Sequence, residues 1–174
     1  MLGVAENAGR VMRAAELFSA DEVGWIGSES VAHAAGSALD SRRMRNAHSR
    51  SATLALVAGH PRLIDLVEAD FGRPCEIAES AFWPSFGSQE QVLPNAAGVA
   101  AIVCLSWRGK LTMSGVIEEC APGKVILVDR RWIANVRATE LTGPILAVGY
   151  QECHSRSQPP RDDCLWPTAW CVAG

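Results

Sequence analysis

One carboxylate, Glu79, interrupts the otherwise apolar segment IAESAFW at residues 77–83. Facing an apolar cavity, it is a candidate general acid or base, because burial disfavours a bare carboxylate charge; facing water, it is an ordinary surface group. Strict alternation along a strand puts Ile77, Glu79 and Ala81 on one face and Ala78, Ser80 and Phe82 on the other. Asn95 and Asn135 carry amides that can donate hydrogen bonds to a carbonyl or an enolate, although asparagine is also a common turn residue. Trp83, Trp107 and Trp132 fall at the ends of apolar segments, where an indole walls a cavity or packs into a core. The remaining reactive types form no catalytic pattern. His33, His48, His60 and His154 show no paired spacing, and His60 before Pro61 reads as a turn or cap residue. Cys104 in AIVCLSW reads as core rather than nucleophile, and Glu118 and Glu119 read as solvated. No phosphate-binding glycine loop, serine elbow or dinucleotide fingerprint occurs. Cys153, His154, Cys164 and Cys171 match no standard zinc spacing.

The elements that must position these groups divide into two halves. The first reads helical. Ser19 stands three residues before Glu22, the capping-box arrangement, and predicts a helix starting near Ala20. A second apolar segment, SATLALVAGH, stops at Gly59; Pro61 then suits the first turn of another helix, which Gly72 caps. Leu63, Leu66 and Val67 lie along one side of that helix as a core-facing stripe. The second half, CEIAESAFW, VAAIVCLSW, KLTMSGVIE, KVILVD and ILAVGYQ, is made of short segments rich in β-branched or aromatic residues and separated by breaks such as PNAAG and APG. These are strands. Helices followed by strands predict α+β, one domain with a helical buttress at 1–72, a β core at 73–151 and a C-terminal tail at 152–174.

The 174 residues, 48% of them hydrophobic, suit one core. A net charge of −3 gives no global attraction to nucleic acid. The one basic run, SRRMRNAHSR at 41–50, is either a solvated face or a contact for an anionic carrier or partner. No apolar run reaches the roughly 20 residues that span a bilayer, and Glu6, Arg10, Arg13 and Glu16 make the N-terminus unlike a secretory signal. The six cysteines lack any CxxC pair and read as packed thiols of a reducing compartment, so the expected location is cytoplasmic.

Three stretches carry a resemblance. AESAFWPSFGSQEQVLPN resembles the strand and loop leading to a His-x-Asp motif, AAIVCLSWRGKLTM a strand pair with a glycine turn, and PGKVILVDRRWIANV the strand that ends at a distal histidine. From about Leu17 to Tyr150 the order of segments resembles the iron(II)/2-oxoglutarate-dependent oxygenases. The resemblance implies a double-stranded β-helix, a jelly-roll or cupin-like barrel, buttressed by the N-terminal helices. That family's chemistry needs two imidazoles and a carboxylate on iron. Carried across, the His-x-Asp falls on Leu93 and Asn95, the distal histidine on Ala134, and the basic residue that grips 2-oxoglutarate at or beside Ile145. No histidine stands between His60 and His154.

The resemblance therefore implies a barrel without its metal triad and without iron or 2-oxoglutarate as cofactor. Leu93, Asn95 and Ala134 would point inward as an apolar floor with one amide. The expected function is a metal-independent isomerisation, cyclisation or lyase step on a hydrophobic small molecule, in specialised-metabolite biosynthesis. Glu79 and Asn95 would be catalytic; Trp83, Leu93, Trp107, Trp132, Ala134 and Asn135 would bind substrate. Two alternatives stand beside it: a non-catalytic pseudo-oxygenase that binds a small molecule or partner, and an oxygenase with an unrecognised ligand set involving Glu79, Glu90 and His154.

Overall fold

The computed structural model describes residues 12–36, 43–84, 98–105, 109–113, 116–129, 137–139 and 143–153. In chain order the elements are β1 (Met12–Glu16), α1 (Ala20–Gly36), β2 (Met44–Arg45), α2 (Ala47–Arg50), α3 (Ala52–Ala58), α4 (Pro61–Phe71), β3 (Cys75–Trp83), β4 (Val99–Cys104), β5 (Gly109–Met113), β6 (Val116–Cys120), β7 (Lys124–Asp129), β8 (Arg137–Thr139) and β9 (Ile145–Glu152). The strands form a six-stranded sheet in the order β1-β7-β4-β9-β3-β2 and a three-stranded sheet in the order β6-β5-β8. All the pairings are antiparallel.

The helix boundaries follow from local chemistry. Glu22 Oε2 accepts from the Ser19 N–H at 2.6 Å, and Ser19 Oγ accepts from the Glu22 N–H at 3.3 Å. Both bonds serve backbone donors that the first turn of α1 leaves unpaired. Ser51 caps α3 through Leu54 N–H. Gly72 closes α4 at φ 74°, a left-handed position that glycine adopts without a Cβ clash.

The first half is less helical than its composition predicts. Residues 12–16 pair with β7 as an edge strand, and Met44 and Arg45 of the basic run pair with β3. Alanine-rich or charged segments carry little intrinsic β preference, so pairing with an existing sheet edge decides their state.

The helices cover one face of the large sheet. Val23, Ile26, Leu54, Val57, Leu63 and Val67 pack with Phe82, Val103, Leu127, Leu146, Val148 and Tyr150 in one buried core. Tyr150 ties α3 to β9: its hydroxyl donates to the Ala58 carbonyl at 2.7 Å, and burial pushes its pKa well above the ordinary phenol value. Ser80 Oγ accepts from the His48 N–H at 2.9 Å and lies 2.6 Å from His48 Nδ1, which fastens α2 to β3. This is a structural pin on the helix side of the sheet.

His60 is the N-cap of α4. Its Nδ1 accepts from the Arg62 N–H at 3.2 Å, and its ring meets Phe18 edge-on at 5.1 Å. Burial and then the Arg62 charge hold its pKa below the usual 6.5, with Glu22 opposing. A protonated Nδ1 could not accept the capping bond. The folded state thus prefers neutral imidazole, and the stability this gives is complete above the unfolded pKa of about 6.5 and is lost as pH falls through the lowered folded value. Urea midpoints of the wild type measured from pH 7.5 to pH 5 should decline more than those of His60→Asn, which keeps a cap but does not titrate. Parallel profiles would remove His60 as a source of the pH dependence.

Candidate functional site

The opposite, inner face of the large sheet can be read from the strand register. Residues directly opposite on paired strands share a face. Ala81 pairs with Ala147, which pairs with Ile102, which pairs with Ile126; Trp83 pairs with Ile145, which pairs with Cys104. None of these residues belongs to the helix-side core, yet all are buried. They form an inner apolar layer.

Glu79 belongs to the same face. It pairs with Gly149, which pairs with Ala100, which pairs with Val128. Strict alternation fails just before it. Ile77 pairs with Tyr150 and packs on the helix-side core, whereas Glu79 pairs with Gly149, so two steps along β3 match one along β9. This is a β-bulge at Ala78, which re-aims the following side chains. Ile77 therefore shares the helix side with Ser80 and Phe82, while Glu79, Ala81 and Trp83 point inward. The expected grouping of Ile77 with Glu79 and Ala81 is corrected by that extra residue.

The Glu79 side chain is half-buried, and its Oε1 is enclosed with no hydrogen-bond partner among the described residues. Its neighbours on the sheet are Gly149, Ala100, Ala81 and Ala147, so this part of the floor carries at most a methyl group per position. An unpartnered carboxylate oxygen over an apolar floor is costly unless something else meets it. The arrangement can hold or release a proton, or accept a hydrogen bond from a bound molecule.

Trp83, four residues further along β3, is fully buried, and the Arg43 guanidinium carbon lies 4.9 Å from its ring centroid. The basic run therefore does not present a uniform solvated face: Arg43 stacks on Trp83, while Arg45 and Arg50 remain exposed. Ile145, matched above to the basic residue that grips 2-oxoglutarate, is buried beside Trp83 and Cys104. Leu93, Asn95, Trp107, Trp132, Ala134 and Asn135 lie outside the described residues, as do Glu90, His154 and the tail. Of the predicted site, Glu79 and Trp83 are thus placed, on one strand and one face.

Among the described residues no three His, Cys, Asp or Glu side chains converge as metal ligands. His48 and His60 serve α2 and the start of α4 on the helix side, and His33 is exposed on α1. On the described inner face of the large sheet, an iron site of two imidazoles and a carboxylate finds one carboxylate, Glu79, and no imidazole.

A helix-covered six-stranded antiparallel sheet accompanied by a three-stranded one is the architecture of a double-stranded β-helix, the fold seen in iron- and 2-oxoglutarate-dependent enzymes. Three solved structures show this likeness. EctD from S. alaskensis with bound Fe superposes with a TM-score of 0.60 at 19% identity, covering 82% of this chain and 73% of EctD. SnoN, a non-heme alpha-ketoglutarate-dependent epimerase from nogalamycin biosynthesis, gives 0.64 at 15% identity, covering 82% and 78%. HygX from Streptomyces hygroscopicus with iron bound gives 0.59 at 15% identity, covering 83% of each chain. No protein-family model and no curated protein matches the sequence. Identities this low establish the fold, while function is a matter of the site.

Proposed function

We propose that this chain is a metal-independent enzyme that carries out a redox-neutral isomerisation, cyclisation or lyase step on a hydrophobic small molecule. The observation that carries this reading is the enclosed Glu79 oxygen on the inner face, without a hydrogen-bond partner among the described residues. Glu79 moves the proton: it takes one from a carbon or hydroxyl of the substrate and returns it at a second position. Asn95 donates a hydrogen bond to the carbonyl or enolate on which charge develops. Trp83, Leu93, Trp107, Trp132, Ala134 and Asn135 supply an apolar wall that orients the substrate and excludes water. Bond rearrangement within a single substrate needs no electron acceptor, so the chemistry requires neither iron nor 2-oxoglutarate.

Two further facts support the reading. The strands from Cys75 to Glu152 carry no histidine, and a protein of the same fold, the alpha-ketoglutarate-dependent SnoN, is an epimerase from nogalamycin biosynthesis, which shows that this fold hosts isomerisation though not that it does so without metal. A biosynthetic role and a location in the cytoplasm are part of this proposal, as is contact between the exposed Arg45 and Arg50 and an anionic carrier.

Chain purified without chelators should hold substoichiometric iron, and 2-oxoglutarate titrated into iron-supplemented protein should give no saturable binding. Stoichiometric iron together with succinate release coupled to substrate turnover would overturn the proposal in favour of an oxygenase with ligands beyond those recognised.

A further inference from the structure

The ends of β4 and β6 place two cysteines together. Cys104 closes β4 opposite Ile145 of the large sheet, and Cys120 closes β6 opposite Gly109 of the small sheet. The chain then turns at once. Gly123 N–H donates to the Cys104 carbonyl at 3.0 Å, and Lys124 N–H donates to the Ala121 carbonyl at 3.0 Å, so the turn after Cys120 is folded back onto Cys104. Both residues are buried, at 1% and 3% exposure. Their thiols hydrogen-bond to each other.

The pair is asymmetric. The bond to Cys120, followed by burial, pushes the Cys104 thiol up, and the same bond, with the Lys124 ammonium assisting, holds Cys120 below the ordinary thiol value against burial. The Lys124 Nζ is fixed nearby, 2.8 Å from Glu118 Oε1 and 2.6 Å from the Glu119 carbonyl. A thiol with a stabilised thiolate is the attacking partner, and a second thiol in contact is the resolving one.

We infer that Cys104 and Cys120 are a dithiol–disulfide couple that fastens the small sheet to the large one when oxidised by a peroxide. The Cys120 thiolate attacks hydrogen peroxide, the O–O bond breaks, and a sulfenic acid and water result once the released hydroxide takes a proton. Cys104 sulfur then attacks the sulfenic sulfur; the S–S bond forms, the S–O bond breaks, and the hydroxyl leaves as water with the Cys104 proton. Two thiols and one peroxide give one disulfide and two waters. A thiol pair restores the reduced form by exchange, so the bridge is reversible in a reducing compartment.

The pre-reduced full chain is treated with hydrogen peroxide, its free thiols are alkylated after unfolding, and its peptides are mapped by mass. The expected result is one cross-link between the peptide that contains Cys104 and the peptide that contains Cys120, removed by dithiothreitol. It should be absent from Cys104→Ala and from Cys120→Ser but retained in Cys75→Ala, because Cys75 shares a tryptic peptide with Cys104. The oxidised chain should melt about 5 °C higher, since the bridge closes a loop between two sheets. Cysteines 104 and 120 both recovered as alkylated thiols, a cross-link to another cysteine, or oxidation to sulfinic acid without a bridge would each overturn the inference. An unchanged melting temperature in the bridged chain would refute the fastening of the sheets.

Discussion

Glu79→Gln should reduce turnover by about 10²- to 10⁴-fold, the usual contribution of a positioned general acid or base. The replacement has nearly the same shape and leaves the strand register alone, so the β-bulge at Ala78 and the pairing with Gly149 are retained. What it removes is the ability to carry a proton. The side chain meets little competing bulk, because the register surrounds it with Gly149, Ala100, Ala81 and Ala147. An amide there can still accept a hydrogen bond from the substrate, which separates chemistry from binding. The expected split is therefore a large fall in kcat with KM little changed. The comparison is made on the hydrophobic substrate that the wild type converts, following substrate loss against a product of equal mass for an isomerisation or cyclisation. A variant that turns over at the wild-type rate would take Glu79 out of the reaction and leave its enclosed oxygen as a structural oddity. Loss of folding, checked by circular dichroism, would instead assign the carboxylate to the sheet.

The largest expected effect on stability comes from Gly123→Ala. Gly123 has φ 84°, a region that side chains rarely adopt, and a Cβ there would fall on the Phe18 carbonyl oxygen. The obstacle is backbone and cannot rotate away. Nor can Gly123 shift freely. Its carbonyl accepts from the Leu17 and Phe18 N–H groups at 3.1 and 3.2 Å, and its own N–H donates to Cys104. One residue thus joins the β1–α1 junction, the β6–β7 turn and the end of β4. Strain at such a position costs roughly 1–3 kcal/mol, and broken hydrogen bonds add to it. A total near 3 kcal/mol should lower the melting temperature by about 10 °C in a domain of this size. Gly24→Ala on α1 is the control, since a Cβ there meets nothing within 4 Å. It should be neutral or stabilising by up to about 1 kcal/mol, because alanine is the better helix former. Equal melting points for the two variants would show that the β6–β7 turn yields easily and that the close approach to Phe18 carries no energetic weight.

Much of the molecule's local structure could be read from its residues alone. The capping box at Ser19 and Glu22, the stop at Gly59 and the left-handed cap at Gly72 depend on contacts within three or four residues, and they occur where the pattern places them. The segments CEIAESAFW and KVILVD are strands to the residue, since β-branched and aromatic runs bounded by breakers have few other stable states. KLTMSGVIE falls on two strands, β5 and β6, which pair with each other. The likeness to a double-stranded β-helix also came from segment order, and the superposition with EctD, SnoN and HygX agrees with it.

Other features needed the assembled molecule. The edge strand β1 and the short β2 exist because β7 and β3 offer unpaired backbone, which no local propensity records. The contacts of Arg43 with Trp83 and of Cys104 with Cys120 join residues far apart in the chain. The direction of Glu79 is the instructive case. A faint signal was present: the helix-side residues of β3 change parity, from Cys75 and Ile77 to Phe82. It was hidden because the inner side at Ala81 and Trp83 is also apolar, so both faces of that strand look alike in sequence. A sheet buried on both faces loses the alternation that would reveal an extra residue. By itself the sequence determined the caps, most strands and the kind of barrel, because these follow from short-range sterics and hydrogen bonding. Only the tertiary structure decided which way Glu79 points, because a bulge is fixed by the register of β3 against β9, and register is a property of two strands together.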